Sequence, residues 1–118
     1  MVICLFGYQT LPGKEEVEER LTAELEPILR RTPGFISYKD YQSADGETIG
    51  VVRFESEATL RRWIDEGVHG RAQAIVNTVY GSFWVQTAET YREYVWERGV
   101  RRDGDLTARF RQSPAGVA

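Results

Sequence analysis

The chain has 118 residues, a formal net charge of −3, 42% hydrophobic and 28% charged content, one cysteine and one histidine. That length fits one domain, able to bury roughly two-thirds of the surface that its unfolded chain exposes. The acidic balance argues against a nucleic-acid partner, and the Cys and His counts exclude an internal disulfide and a Cys/His zinc cluster.

Val2–Gln9 reads as a first strand carrying Ile3, Leu5, Phe6 and Tyr8, closed by Pro12-Gly13. Lys14–Arg31 reads as a helix, because Val17, Leu21, Leu25 and Ile28 recur at spacings of four and three. Glu15, Glu16 and Glu18 at its start and Arg30 and Arg31 at its end suit the helix dipole. Pro27 lacks a donor and predicts a kink or break there. Phe35–Ser43 and Thr48–Glu55 read as strands joined by Ala44-Asp45-Gly46-Glu47, since Asp-Gly tolerates the positive φ of a hairpin turn. Strict alternation puts Phe35, Ser37, Lys39 and Tyr41 on one face, and Ile36, Tyr38, Asp40 and Gln42 on the other.

Ser56 is the expected N-cap of a second helix with an apolar stripe of Leu60, Trp63, Ile64 and Val68. Gly67 and Gly70 predict a break near His69, with a further helical piece over Arg71–Val79. Tyr80–Tyr94 reads as a last strand. From Glu97 onward arginines multiply and large apolar residues thin out, so residues 1–96 read as the domain and 97–118 as an arm or disordered tail. Leu106 and Phe110 are spaced to anchor one helical turn.

The order β-α-β-β-α-β predicts an α+β, ferredoxin-like fold: one four-stranded antiparallel sheet with both helices on one face. Its other face would be apolar and open, so pairing with a second copy is expected. No apolar run approaches the ~20 residues of a membrane span, and no basic segment followed by an apolar run opens the chain, which sets the expectation of a cytoplasmic protein without a membrane partner. The glycines match neither GxGxxG nor a P-loop, so no nucleotide cofactor is expected, and one histidine with one cysteine supplies metal chemistry too poorly for a metal to be expected.

The run Pro33-Gly34-Phe35, followed by Phe54-Glu55-Ser56-Glu57-Ala58-Thr59-Leu60 and then Trp63 and His69, resembles the antibiotic biosynthesis monooxygenase (ABM) domain family. Tyr80 and Phe83-Trp84-Val85 share that look, and the resemblance covers residues 2–96. It implies a dimeric α+β barrel, two sheets packed face to face with helices outside, and a cleft in each subunit between sheet and helices. It also implies either a cofactor-free oxygenase acting on phenolic or quinol molecules or a haem-degrading monooxygenase; other members have no known reaction. The haem-degrading branch uses an Asn on the first strand, a Trp on the second helix and a His on iron. Trp63 and His69 match the last two, but Leu5–Gln9 holds no Asn and the Trp-to-His spacing is short.

The candidate catalytic residues are therefore His69, as a general base near neutral pH, and Trp63, whose N–H would orient a substrate oxygen. Core packing for Trp63 and a helix-end role for His69 are the competing assignments. Tyr8, Phe35, Tyr38, Phe54 and Trp84 are candidate substrate-binding aromatics on strands. Arg53, on a central strand, must pair with Glu55 or Asp40 or meet an anionic ligand. The expected function is cofactor-independent monooxygenation of a small aromatic or polyketide-like molecule by dioxygen. Haem binding through His69 and a non-catalytic binding or stress-associated module are the alternatives.

Overall fold

β1 (Val2–Thr10) is the centre of the molecule, pairing antiparallel with β3 (Thr48–Phe54) on one side and β4 (Tyr80–Glu89) on the other. β2 (Phe35–Gln42) pairs only with β3, giving the sheet order β2-β3-β1-β4. This computed structural model describes residues 1–65 and 76–114. The topology is the expected ferredoxin-like α+β arrangement.

The pleat of β1 sends Val2, Cys4, Phe6 and Tyr8 to the face on which α1 (Glu15–Arg31) and α2 (Glu57–Ile64) pack. Val2, Cys4, Val52, Phe54, Leu29, Leu60 and Trp63 are buried together there. α1 runs unbroken through Pro27, contrary to the expected break. Pro27 and Ala23, whose carbonyl loses its donor, both lie on the exposed side of the helix, so water can serve that carbonyl. Ser56 does cap α2: its Oγ accepts from Thr59 N–H, and its own N–H donates to Thr59 Oγ1, each over 3.2 Å.

Two glycines admit rings on opposite faces. A Cβ on Gly50 would sit 2.1 Å from the Phe6 ring, and one on Gly7 would sit 2.2 Å from the Trp84 indole. Phe6 thus crosses β3 on the helix side, while Trp84 crosses β1 on the other side and donates to Glu47 Oε2 over 2.9 Å.

β2 departs from strict alternation. Phe35 pairs with Phe54 but Ser37 pairs with Arg53, so Ile36 is an extra residue in a bulge. Phe35 and Tyr38 consequently both join the core, and Phe35 does not share a face with Ser37. The hairpin to β3 turns at Gly46, φ +92°, with Asp45 Oδ1 accepting from Glu47 N–H over 3.0 Å.

α3 (Val76–Val79) leads into β4, which ends at Glu89 rather than Tyr94. Its partner explains the stop: Glu89 pairs with Val2, where β1 begins, and nothing remains to bond beyond Thr90 N–H, which reaches Met1 O. The segment expected as an arm or tail forms a hairpin of β5 (Tyr94–Glu97) and β6 (Val100–Asp103), turning at Arg98 and Gly99, both with positive φ. It therefore straddles the boundary placed after residue 96. Arg101 covers the Tyr94 ring at 4.3 Å while Trp96 stays 60% exposed. The radius of gyration, 15.4 Å, exceeds the about 13.5 Å of a compact chain of this length, consistent with a projecting hairpin. A last helix, α4 (Thr107–Phe110), returns to β2.

Candidate functional site

The helix-side face of the sheet carries a cluster of phenols. Tyr8 on β1, Tyr38 on β2 and Tyr80 at the start of β4 converge around Phe6 and Phe83. The Phe6 centroid lies 6.2 Å from Tyr8, 6.1 Å from Tyr38 and 6.1 Å from Phe83; Tyr80 lies 4.8 Å from Tyr8. The geometry follows from register: Phe6 stands opposite Gly50 and Val85, and Tyr8 opposite Phe83. Phe83 is 43% exposed, so the cluster ends in an accessible aromatic face.

Each inner phenol has a carboxylate acceptor. Tyr8 Oη donates to Glu18 Oε1 over 3.0 Å, and Thr22 Oγ1 donates to the same oxygen over 3.0 Å. Tyr38 Oη donates to Asp40 Oδ2 over 3.1 Å. Burial pushes the Tyr8 phenol well above its ordinary range, and the Glu18 charge pushes it further. Tyr38 is raised by burial and then by Asp40. Tyr80 is raised to about 12 by burial and then by Glu18. All three therefore remain neutral hydrogen-bond donors at physiological pH. A cavity of about 460 Å³ opens beside Tyr8, lined by Tyr8, Glu18, Thr22, Glu26 and Asp40 among others. That volume suits a small aromatic ligand.

A family model described as antibiotic biosynthesis monooxygenase matches residues 1–75, well over half of the chain. The chain belongs to the antibiotic biosynthesis monooxygenase family. Among solved structures it is similar to Rv0793 from Mycobacterium tuberculosis, with 21% identity, a TM-score of 0.71, and 78% of this chain and 96% of that one covered. It is likewise similar to SO0527 from Shewanella oneidensis, with 23% identity, a TM-score of 0.66, and coverages of 74% and 87%. A third similar structure is a variant of SnoaB, a cofactor-independent oxygenase from Streptomyces nogalater, with 12% identity, a TM-score of 0.67, and coverages of 78% and 94%. No curated protein matches the sequence. At these identities the structural likeness speaks for the fold.

Of the residues predicted from sequence, the structure brings Tyr8 and Tyr38 into this cluster. Phe35, Phe54 and Trp63 sit further along the same face as core: Phe35 meets Phe54 edge-on at 6.1 Å, and Phe54 lies 6.4 Å from Trp63, which is 9% exposed. Trp84 and Arg53 lie on the opposite face and do not line the cavity, because each falls one residue out of step with the inward positions of its strand. Arg53 pairs with neither Glu55 nor Asp40. Its guanidinium stacks on Phe110 of α4 at 3.8 Å and reaches Ser37 Oγ at 3.4 Å, and burial lowers its pKa. His69 lies outside the described residues.

Glu18, Asp40, Tyr80, Phe83 and Phe6 join the site without having been singled out for it. Glu18 carried a usable signal: with Leu21, Thr22 and Leu25 it shares the inward side of α1, an unusual place for a carboxylate without a partner. Among the described residues, no group of three or more His, Cys, Asp or Glu is placed to hold a metal ion, and no helix is long and apolar enough to cross a membrane.

Proposed function

We propose that the chain is a cofactor-independent monooxygenase that oxidises a small phenolic or quinol-type aromatic molecule, polyketide-like in shape, in the cleft between the sheet and α1. The observation that carries this reading is the phenol–carboxylate cluster, Tyr8 with Glu18 and Tyr38 with Asp40, beside a cavity of suitable size in a chain of this family. SnoaB, a cofactor-independent oxygenase of similar fold, supports it by analogy.

The substrate supplies its own electrons. Phe83, exposed at the end of the aromatic cluster, offers a ring face for stacking. The neutral Tyr80 hydroxyl offers a donor to a substrate oxygen that gains negative charge, while Tyr8 and Tyr38, whose protons go to Glu18 and Asp40, present acceptor oxygens to a substrate hydroxyl. A base, for which we propose His69, removes the substrate's hydroxyl proton. The resulting anion passes one electron to dioxygen, the aryloxyl radical and superoxide join at a ring carbon, and the peroxide collapses to a quinone with loss of water. The ring carbon gains one oxygen, and its hydrogen leaves with the hydroxyl proton and the second oxygen as water, so no external reductant enters. The haem alternative rests on His69 and gains no support from the described residues. Pairing of two copies through the open sheet face, and a cytoplasmic setting, belong to the same proposal.

Oxygen uptake with a panel of anthrones and quinols, in buffer containing a chelator, tests the reading. The expected result is one dioxygen consumed per substrate, with kcat reduced in His69→Ala and Tyr8→Phe. Absence of both uptake and ligand-induced thermal stabilisation across the panel would overturn it.

A further inference from the structure

β2 is an edge strand, and such a strand leaves backbone N–H and C=O groups without a ladder partner. Here a single residue 74 positions onward takes two of them. Gln112 N–H donates to Ile36 O over 2.8 Å, and Gln112 Oε1 accepts from Tyr38 N–H over 2.9 Å. Backbone and side-chain amide together reproduce what a neighbouring strand would offer. The same Oε1 accepts from Arg30 on α1 over 2.9 Å, and Arg30 is held in turn by Glu26.

The two preceding residues hold on as well. Arg111 donates to Phe35 O and to Glu55 Oε1, each over 2.7 Å. Phe110 lies beneath Arg53 on the far face of the sheet. Three consecutive side chains thus engage the far face of the sheet, the strand end and its free edge.

We propose that Phe110–Gln112 is an intramolecular clamp on the β2 edge, and that Gln112 is a positioning residue for Tyr38. The N–H that Gln112 captures belongs to the residue whose phenol meets Asp40 in the candidate cleft. The carbonyl it captures belongs to the bulged residue, where the ladder to β3 is interrupted. Whatever holds or frees the C-terminal segment therefore alters how firmly Tyr38 is presented. The positioning role rests on the reading that Tyr38 borders the substrate cleft.

The test compares the full chain with Gln112→Ala, Gln112→Glu and a chain ending at Arg109. Residue-resolved hydrogen exchange should show the Tyr38 amide exchanging about fivefold faster or more in Gln112→Ala and in the shortened chain, with Val52 unchanged. Gln112→Glu keeps an acceptor oxygen and should restore protection. In protein carrying 13C-labelled tyrosine, the Tyr38 ring signal should move in Gln112→Ala and return in Gln112→Glu. Unchanged Tyr38 exchange in Gln112→Ala overturns the clamp. Faster exchange with an unmoved ring signal overturns the positioning role. Both readouts need no ligand, so failure of the full chain to bind the anthrone dithranol would count against the proposed function and leave this inference to be judged separately. If the shortened chain does not fold, the point variants carry the test.

Discussion

The hydroxyl of Tyr8 donates to Glu18 Oε1 over 3.0 Å, tying the central strand to the first turn of α1. Removing that hydroxyl should matter more to the site than to the fold. Tyr8→Phe is expected to lose about 0.5–1.5 kcal/mol of stability, the usual net worth of such a bond. Glu18 keeps Thr22 as a donor, so the Tyr8→Phe, Glu18→Gln double variant should lose less than the sum of the singles. Urea unfolding of the four proteins measures the coupling; strict additivity would mean that the bond does not form.

Gly50 is needed for space. A methyl group there meets the Phe6 ring at 2.1 Å, and Phe6 is the hub on which Tyr8, Tyr38 and Phe83 stack. Gly50→Ala should destabilise the chain by about 1–3 kcal/mol through overpacking. Combining it with Phe6→Leu, which vacates the contact, should cost less than the two separately. Thermal or urea midpoints decide this, and a neutral Gly50→Ala would show that Phe6 does not cross β3.

Much of the fold was legible because its signals are local. The α1 stripe, the Asp45-Gly46 turn and the Ser56 cap each depend on residues within four positions of one another, and each formed as expected. What escaped the sequence was set by distant partners. The bulge at Ile36 is visible only against β3, and it moved Phe35 to the core face. Arg53 found Phe110, 57 positions away, instead of a nearby carboxylate. The site was legible in its residue types: Tyr8 and Tyr38 were named, while the carboxylates that complete them lie on α1 and further along β2 and had read as a dipole partner and an ion-pair candidate.

Alkaline conditions should expose the buried phenols. Tyr80 is held at about 12 in the fold against about 10 in an unfolded chain. Its folded pKa is raised, so the native state retains the proton where the unfolded state releases it. Stability should be insensitive to this group below pH 10 and should fall as pH rises from 10 toward 12. Tyr80→Phe should flatten that fall. Urea midpoints at stepped pH, with tyrosinate absorbance followed in parallel, check both statements. A loss of stability as pH falls toward neutrality would have the wrong sign.

Leu5 and Val51 face each other across β1 and β3 on the side away from the helices, both partly exposed in the single chain. If two copies pair through this face, Leu5→Asp or Val51→Asp should halve the mass seen by light scattering while leaving the helical signal intact. A wild-type chain that scatters as a monomer at working concentration would remove the proposed pairing.

The extra residue in β2 also bears on how relatives are matched to this chain. From Ser37 to Gln42 each position faces its β3 partner in a regular ladder, but Phe35 is offset by the intervening Ile36. A relative without a residue at that point would keep the ladder and still place its counterparts of Phe35 and Tyr38 inward. Superposing the two chains by count alone would misassign one end of the strand. A gap opposite Ile36 restores the correspondence, and lineages that lack this residue also lack the carbonyl on which Gln112 rests.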